Sequence, residues 1–394
     1  VTALWWLLAL AGFALVAATA LDISGSLVVP RRFNSRSSNL LSRVVGASFF
    51  TVLRPVDRYE RRDAVLAWAG PVVLLARLVL WVSALTVGFA LMLVPSLHGH
   101  IGRAFSEAGS SVFTLGYRPP HSPGSTVIDY FAAYSGLLVI ALQIGYLPSL
   151  YAGFNRRETE VTMLDSRAGA PAWGPELLVR TRYGLPDGDV EAQLDDLFGR
   201  WERWSAEVSE SHTAYPTLVF LRSPRTWSHW LTAQLAVLDA AALVLALQPS
   251  SSIRLRARLC LRMGFVALQD VARTLGIDHD AEPEVDAPIQ LTREDFLVAV
   301  GRMEAVGYPI EADLDEAWLD FRGWRTNYEA AAYGIAYAID APPAMWSGPR
   351  RWTDEAVAPM RPSVGRAKRP ATFPTEPPTT TGQETDGQQP SPPS

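Results

Sequence analysis

The sequence predicts an all-α membrane protein with three transmembrane helices, a re-entrant segment between the second and third, and a cytosolic helical bundle. Three observations predict it. Three apolar runs, Ala3–Leu21, Ala64–Pro95 and Val127–Gly153, each reach the length a helix needs to cross a hydrocarbon core of about 30 Å. Their flanks are rich in arginine on one side only. Beyond residue 188, apolar and aromatic residues recur at helical intervals instead of in unbroken runs.

Composition narrows the function classes. A length of 394 residues suggests two or three domains, and the 48% hydrophobic content is concentrated toward the N-terminus. The net charge of -5 is mild and implies no nucleic-acid partner. Lys368 is the only lysine, so the basic residues are almost all arginine. The single cysteine, Cys260, excludes an intrachain disulfide and a cysteine-based zinc site. Inside a helical run it reads as a small buried hydrophobe.

Residues 1–25 hold the first apolar run. Ala18-Thr19-Ala20 resembles a signal-peptide cleavage site, but no positive region precedes the run and its apolar core is long, which favours a retained helix. Residues 26–63 form a basic connector with eight arginines against Asp57, Glu60 and Asp63. By the positive-inside rule this connector is cytoplasmic and the N-terminus lies outside. Leu40–Leu53 has apolar periodicity and reads either as an amphipathic helix on the inner leaflet or as an ordinary basic loop.

Residues 64–157 contain the second and third runs. Arg77 falls where the second helix would enter the bilayer, at the inner interface. The turn after that helix carries His98, His100, Glu107 and His121; three histidines there suggest proton sensing or a metal, but their spacing matches no ligand motif and they read as solvated loop histidines. Gly102–Phe113 is a short amphipathic piece that leads into Ser110-Ser111-Val112-Phe113-Thr114-Leu115-Gly116-Tyr117, and the turn Arg118–Pro123 leads out. Non-helical backbone at membrane depth is tolerated only where protein buries it or water lines it. Helix, short helix, Thr-x-Gly-Tyr, helix is therefore the layout of a pore loop. In the third run, Gly136 and the pair Gly145 and Pro148 are candidate bends or close-packing points. Gln143 is the polar residue placed to meet water, and Arg156-Arg157 anchor the cytoplasmic exit.

The stretch resembles the selectivity filter of potassium channels. It is closer to the degenerate form found in bacterial two-transmembrane-helix, ion-channel-domain membrane proteins. Val28-Val29-Pro30-Arg31-Arg32, Gly145-Tyr146-Leu147-Pro148 with Leu150-Tyr151, Arg156-Arg157-Glu158, Leu164-Asp165 with Arg167-Ala168-Gly169, and Glu176-Leu177-Leu178 fit the same family. The resemblance covers about residues 1–180. It implies a filter made by the carbonyls of Thr114, Leu115, Gly116 and Tyr117, a pore helix ending in Ser110, Ser111 and Phe113, and a potassium ion as permeant ligand with no cofactor. It also implies a homotetramer in the plasma membrane, because one chain supplies a quarter of a carbonyl ring. Two positions depart from the pattern. Arg118 stands where the second filter glycine would be and Pro119 where the following acid would be. An arginine copying the glycine's positive φ would be strained, and its charge at the outer mouth disfavours cations. The expectation is passive cation conduction. The alternative is a non-conducting sensor or scaffold that keeps the fold.

Residues 158–188 are polar, with Gly and Pro, and read as a linker. Residues 189–341 predict a helical domain with helices over Val190–Ser209, Pro224–Gln248, Ile253–Leu275, Leu291–Val306 and Ala312–Ile339. Thr292 and Asp295 have capping-box spacing. Trp230–Leu247 is apolar enough to span, but spanning would put Asp239 at mid-bilayer at about 2.5–3.5 kcal/mol. It would also place Arg254, Arg256, Arg258 and Arg262 outside. It reads as the buried central helix. Trp318, Trp324, Tyr328, Tyr333 and Tyr337 read as core. The run Asp278–Glu284 lacks the glycine and ligand order of a calcium loop. No phosphate loop, dinucleotide motif, nucleophile elbow or zincin motif is present, so no enzyme activity is expected, and the ligand of the helical domain is left open. Residues 342–394, rich in Pro, Thr, Gln and Ser, read as a disordered tail.

Overall fold

The computed structural model describes residues 2–27, 36–182, 187–352 and 354–360. It is all-α. Its only extended pairings among those residues are two isolated bridges, Ala170 with Met360 and Ala344 with Val357. The motif Val28–Arg32 lies outside the described residues.

The first half is a packed set of long apolar helices. α1 (Thr2–Leu27) lies along α4 (Ala69–Leu93). Glycine permits the approach: a Cβ on Gly12 would sit 2.4 Å from the Gly88 carbonyl oxygen, and one on Gly88 would sit 2.6 Å from Val16. Apolar helices gain little hydrophobic drive from pairing in lipid, so small residues that allow close contact decide where they meet. The indole N–H of Trp81 donates to Asp22 at 2.7 Å and pins the far end of the same pair. Arg77 is buried and lies 5.9 Å from the Trp81 ring, so its side chain faces protein.

The basic connector is helical, as α2 (Arg36–Val52) and α3 (Tyr59–Leu66). α5 (Ile101–Val112) packs against both α4 and α6 (Pro123–Ala168). α6 is 46 residues long. At 1.5 Å per residue that is roughly 69 Å, about twice the thickness of a hydrocarbon core. Its start is fixed by a capping box between Ser122 and Ser125, with Pro123 in the first turn. It runs unbroken through Gly136, Gly145 and Pro148. Its first part packs with α1, α4 and α5 around Trp81, Leu85, Phe89, Ala108 and Val139. Its last part enters the helical bundle.

The bundle surrounds α9 (Trp230–Leu247), every residue of which is buried. Around it pack α7 (Gly174–Thr181), α8 (Asp187–Ala214), α10 (Arg254–Leu275), α11 (Arg293–Glu304), α12 (Leu314–Arg325) and α13 (Glu329–Ile339). Asp239, the acid inside α9, accepts from Tyr328 at 2.7 Å and is ion-paired with Arg325. Arg325 also binds Glu329 at 2.6 Å, the Tyr333 hydroxyl at 2.8 Å and the Trp346 carbonyl at 2.6 Å. A buried charge with that many partners is satisfied, and removing one partner from such a group costs about 3–5 kcal/mol.

Four expected boundaries move. The stretch read as a linker, 158–188, holds the end of α6 and all of α7. Val161, Leu164, Leu177 and Leu178 are core, and the acids that made it look polar are paired: Glu158 with Arg157 and Glu176 with Arg180. Arg157, expected at the membrane exit, is buried against Glu158, His212 and the carbonyls of Leu218 and Leu221. The helix expected over Ala312–Ile339 breaks in two at Thr326–Tyr328, and the one expected from Pro224 starts at Trp230. The tail starts later than Pro342: Trp346, Ser347 and Arg350 are buried, and Met360 pairs with Ala170. Cys260 is fully buried, as a core residue would be.

Two bundle histidines must be neutral. Nδ1 of His229 accepts the Leu231 N–H at 3.2 Å and caps α9, while Nε2 of His212 faces the Arg157 guanidinium at 3.1 Å. Burial pushes both well below the ordinary imidazole value; Arg157 adds to this for His212, and Arg222, Arg157 and Arg350 for His229. The unfolded chain protonates each near pH 6.5 and the folded chain does not. Stability is therefore full above about pH 6.5 and falls below it by about 1.4 kcal/mol per pH unit per histidine. Thermal unfolding of detergent-purified protein at stepped pH is expected to follow that slope. His229→Asn keeps a capping acceptor and is expected to remove that histidine's share.

Candidate functional site

The sequence-predicted residues 110–118 lie at the end of α4 and α6 opposite the bundle. α5 leads to them. The Val112 carbonyl meets α6 at Gly136, where an added Cβ would sit 2.0 Å from the oxygen. Gly136 is thirteen residues past Pro123 (136 − 123), which is roughly 20 Å along the helix. The twelve residues of α5 rise roughly 18 Å, so α5 runs alongside α6 to that depth. Gly136 is thus a close-packing point. Gly145 has open space at its Cβ position, and Gln143 is half-buried.

α5 ends in a Schellman cap. The Leu115 N–H donates to the Ser110 carbonyl at 2.8 Å, and the Thr114 N–H to the Ser111 carbonyl at 3.0 Å. This cap requires a left-handed residue after the helix, a position where glycine is usual. Here it is Thr114, at φ +55°. A β-branched residue with positive φ is strained, by about 1–3 kcal/mol. Gly116 follows at φ +70°, where its lack of Cβ costs nothing. Arg118 is not among the positive-φ residues, so the strain expected at Arg118 falls at Thr114 instead.

The cap uses the N–H groups of this segment and leaves its carbonyls. Among the described residues no hydrogen bond ends on the carbonyl oxygens of Thr114, Leu115, Gly116 or Tyr117. Residues 113–120 are all exposed in the single chain, Phe113, Leu115 and Tyr117 by more than half. Arg118 folds back onto α5: its N–H donates to the Ser110 hydroxyl at 3.2 Å and its Nε to the Ser106 hydroxyl at 3.3 Å. The Tyr117 hydroxyl reaches the Ser106 carbonyl at 3.2 Å.

Behind the segment are two buried acids. Asp129 accepts from the Ser111 hydroxyl at 2.9 Å, and Glu107 faces His121 Nδ1 at 3.1 Å. Glu107 Oε1 and Asp129 Oδ2 have no partner. Glu107 and Asp129 are both buried, and the sequence pattern did not single out Asp129. The signal was available, since a lone acid early in an apolar run is expected to be functional or paired. The three outer histidines do not converge; only His121 meets a carboxylate. Among the described residues no three His, Cys, Asp or Glu side chains group closely enough to hold a metal, the acidic run Asp278–Glu284 included.

Comparison with family models, with curated proteins and with solved structures returns no match to this chain.

The geometry separates three substitutions by thermal stability in detergent. Gly136→Ala forces a methyl group into a backbone carbonyl and is expected to destabilise by at least about 1–3 kcal/mol. Gly145→Ala, with open space, is expected to stabilise by about 0.5–1 kcal/mol. Thr114→Gly relieves the strained cap and is expected to stabilise by about 1 kcal/mol.

Proposed function

We propose that this chain is one subunit of a membrane pore that conducts cations passively, a potassium-channel-like protein with a degenerate Thr114-Leu115-Gly116-Tyr117 filter. The observation that carries the reading is the set of four unpartnered carbonyls that follow the α5 cap. At membrane depth a free carbonyl costs several kcal/mol unless water, protein or an ion meets it. A ring of such carbonyls around an axis is a cation path, and four copies of one chain are needed to close it.

Three transmembrane helices fit this reading: α1, α4 and the first part of α6. Among the described residues four helices are long and apolar enough to cross a bilayer, the fourth being Trp230–Leu247. That helix has no face left for lipid, and its Asp239 is paired within the bundle. α3 supports a single cytoplasmic side for connector and bundle, because Asp63 pairs with Arg222 at 2.7 Å and Arg62 with Asp340 at 3.5 Å. The N-terminus then lies outside and the bundle inside the cell.

Arg118 favours a second reading, a membrane-anchored scaffold that does not conduct. It places one positive charge per subunit beside the proposed ion path. A unit charge about 4 Å away contributes ~1 kcal/mol even in water.

Flux from liposomes holding the purified tetramer distinguishes the two. Potassium flux is expected, with sodium and chloride measured beside it, and Thr114→Ala with Gly116→Ala is expected to abolish it. Arg118→Gly is expected to raise cation flux about five- to tenfold. No flux for any ion from a folded tetramer, in either Arg118 form, would leave the scaffold.

A further inference from the structure

α2 has two faces, and its own chain covers only one. The inner face is held by the C-terminal segment and by neighbouring helices. Phe50 lies under the Arg351 guanidinium at 4.1 Å and 6.1 Å from the Trp352 ring, and Leu53 is fully buried. Leu40, Val44, Ala47 and Thr51 follow one another at helical spacing on the opposite face, and all are exposed. Leu40 is 63% and Val44 54% exposed. The hydroxyls on this face do not ask for water. Ser48 donates to the Val44 carbonyl at 2.9 Å and Thr51 to the Ala47 carbonyl at 2.8 Å. A helix apolar on both faces is stable only when both are covered.

The chain that follows α2 carries exposed arginines. Arg54, Arg58 and Arg61 are exposed and have no ion pair among the described residues, with Asp57 and Glu60 as the acids between them. Two further charges of the connector are spent inward: Arg62 binds Asp340 and Asp354, and Asp63 binds Arg222. Trp68, at the head of α4, is 67% exposed. An exposed tryptophan at the end of a membrane helix marks the headgroup level.

We infer that α2 and the arginines after it form a binding surface for the anionic phospholipid leaflet, with Leu40, Val44 and Ala47 in the acyl boundary and Arg54, Arg58 and Arg61 on headgroup phosphates. The inference rests on α4 being a membrane helix, but not on conduction. Each arginine near an anionic leaflet favours it about fivefold, and an inserted apolar face keeps the helix in the interface plane.

The lone cysteine makes a direct test possible. Cys260 is fully buried and burial pushes its thiol up, so an engineered surface cysteine can be labelled alone. A bimane is placed on Val44→Cys, and another on Leu75→Cys as a report on α4. The full chain goes into nanodiscs of phosphatidylglycerol or phosphatidylcholine. In phosphatidylglycerol discs the label at 44 is expected to be quenched by doxyl-lipid and shielded from iodide. Phosphatidylcholine, or neutralising Arg54, Arg58 and Arg61 to Gln, is expected to reduce that shielding at least about fivefold. Iodide quenching in every disc, or shielding independent of lipid charge, overturns the proposal. So does shielding without doxyl quenching, since a second copy then covers the face. Loss of doxyl quenching at 75 as well would locate the failure in the membrane assignment of α4.

Discussion

The arrangement of the segment after α5 depends on one close contact, the Val112 carbonyl against Gly136. Any side chain at Gly136 would overlap the oxygen. That contact sets how deep α5 can go and where its cap opens. It also sets which α6 residues face it. Ser111 reaches Asp129 because α5 is seated there, and Glu107 is buried for the same reason. The segment 113–120 is then exposed by necessity, because the space behind it is already filled. The same helix that supplies Gly136 continues without a break into the bundle. A displacement of its inner end by Arg157 and its partners would therefore be felt at the segment.

Arginine is what holds the inner half together. Arg62, Arg157, Arg222, Arg325 and Arg350 are buried, and each donates to at least one backbone carbonyl as well as to side chains. A planar fork with five donors can satisfy a carboxylate and loop carbonyls together, which an ammonium cannot do. The near absence of lysine in the chain fits that use. The C-terminal segment depends on it most. Arg350 binds the carbonyls of Ala341, Pro342 and Ser347 and gives a Pro-rich stretch a fixed path without regular secondary structure.

The helical class, the apolar runs, the capping box at Thr292 and the burial of α9 were legible in the sequence. Each is a local pattern: run length, period, or one acid that lipid would reject. What was not legible needed partners far along the chain. Residues 158–182 look polar, yet Glu160 pairs with Arg200, Asp165 with Arg225 and Glu176 with Arg302, and no local window of sequence reveals those distant pairings. Residues 342–352 look disordered by composition, yet Trp346 inserts beside Trp173 at 5.5 Å and Phe321 at 5.7 Å. At the candidate site, Thr114, Gly116 and Arg118 could be singled out from sequence, and the strained position could not. The sequence put strain on Arg118 by analogy with a glycine, whereas the cap geometry transfers it to Thr114.

That transfer bears on how such a segment would handle charge. With Arg118 outside the left-handed region, its Nε lies back along α5 and donates to the Ser106 hydroxyl. The two acids behind the segment oppose it. Glu107 faces the His121 ring, while Asp129 accepts a hydrogen bond from the Ser111 hydroxyl. When both acids are ionised, the field behind the carbonyls is negative and favours a cation in front of them, and it is weakened little by solvent because the acids are buried. The arginine is exposed and salt screens it. On the proposed reading of the segment as an ion path, the arginine and the two acids therefore act on a cation in opposite directions, and the acids do so only while Glu107 and Asp129 are ionised.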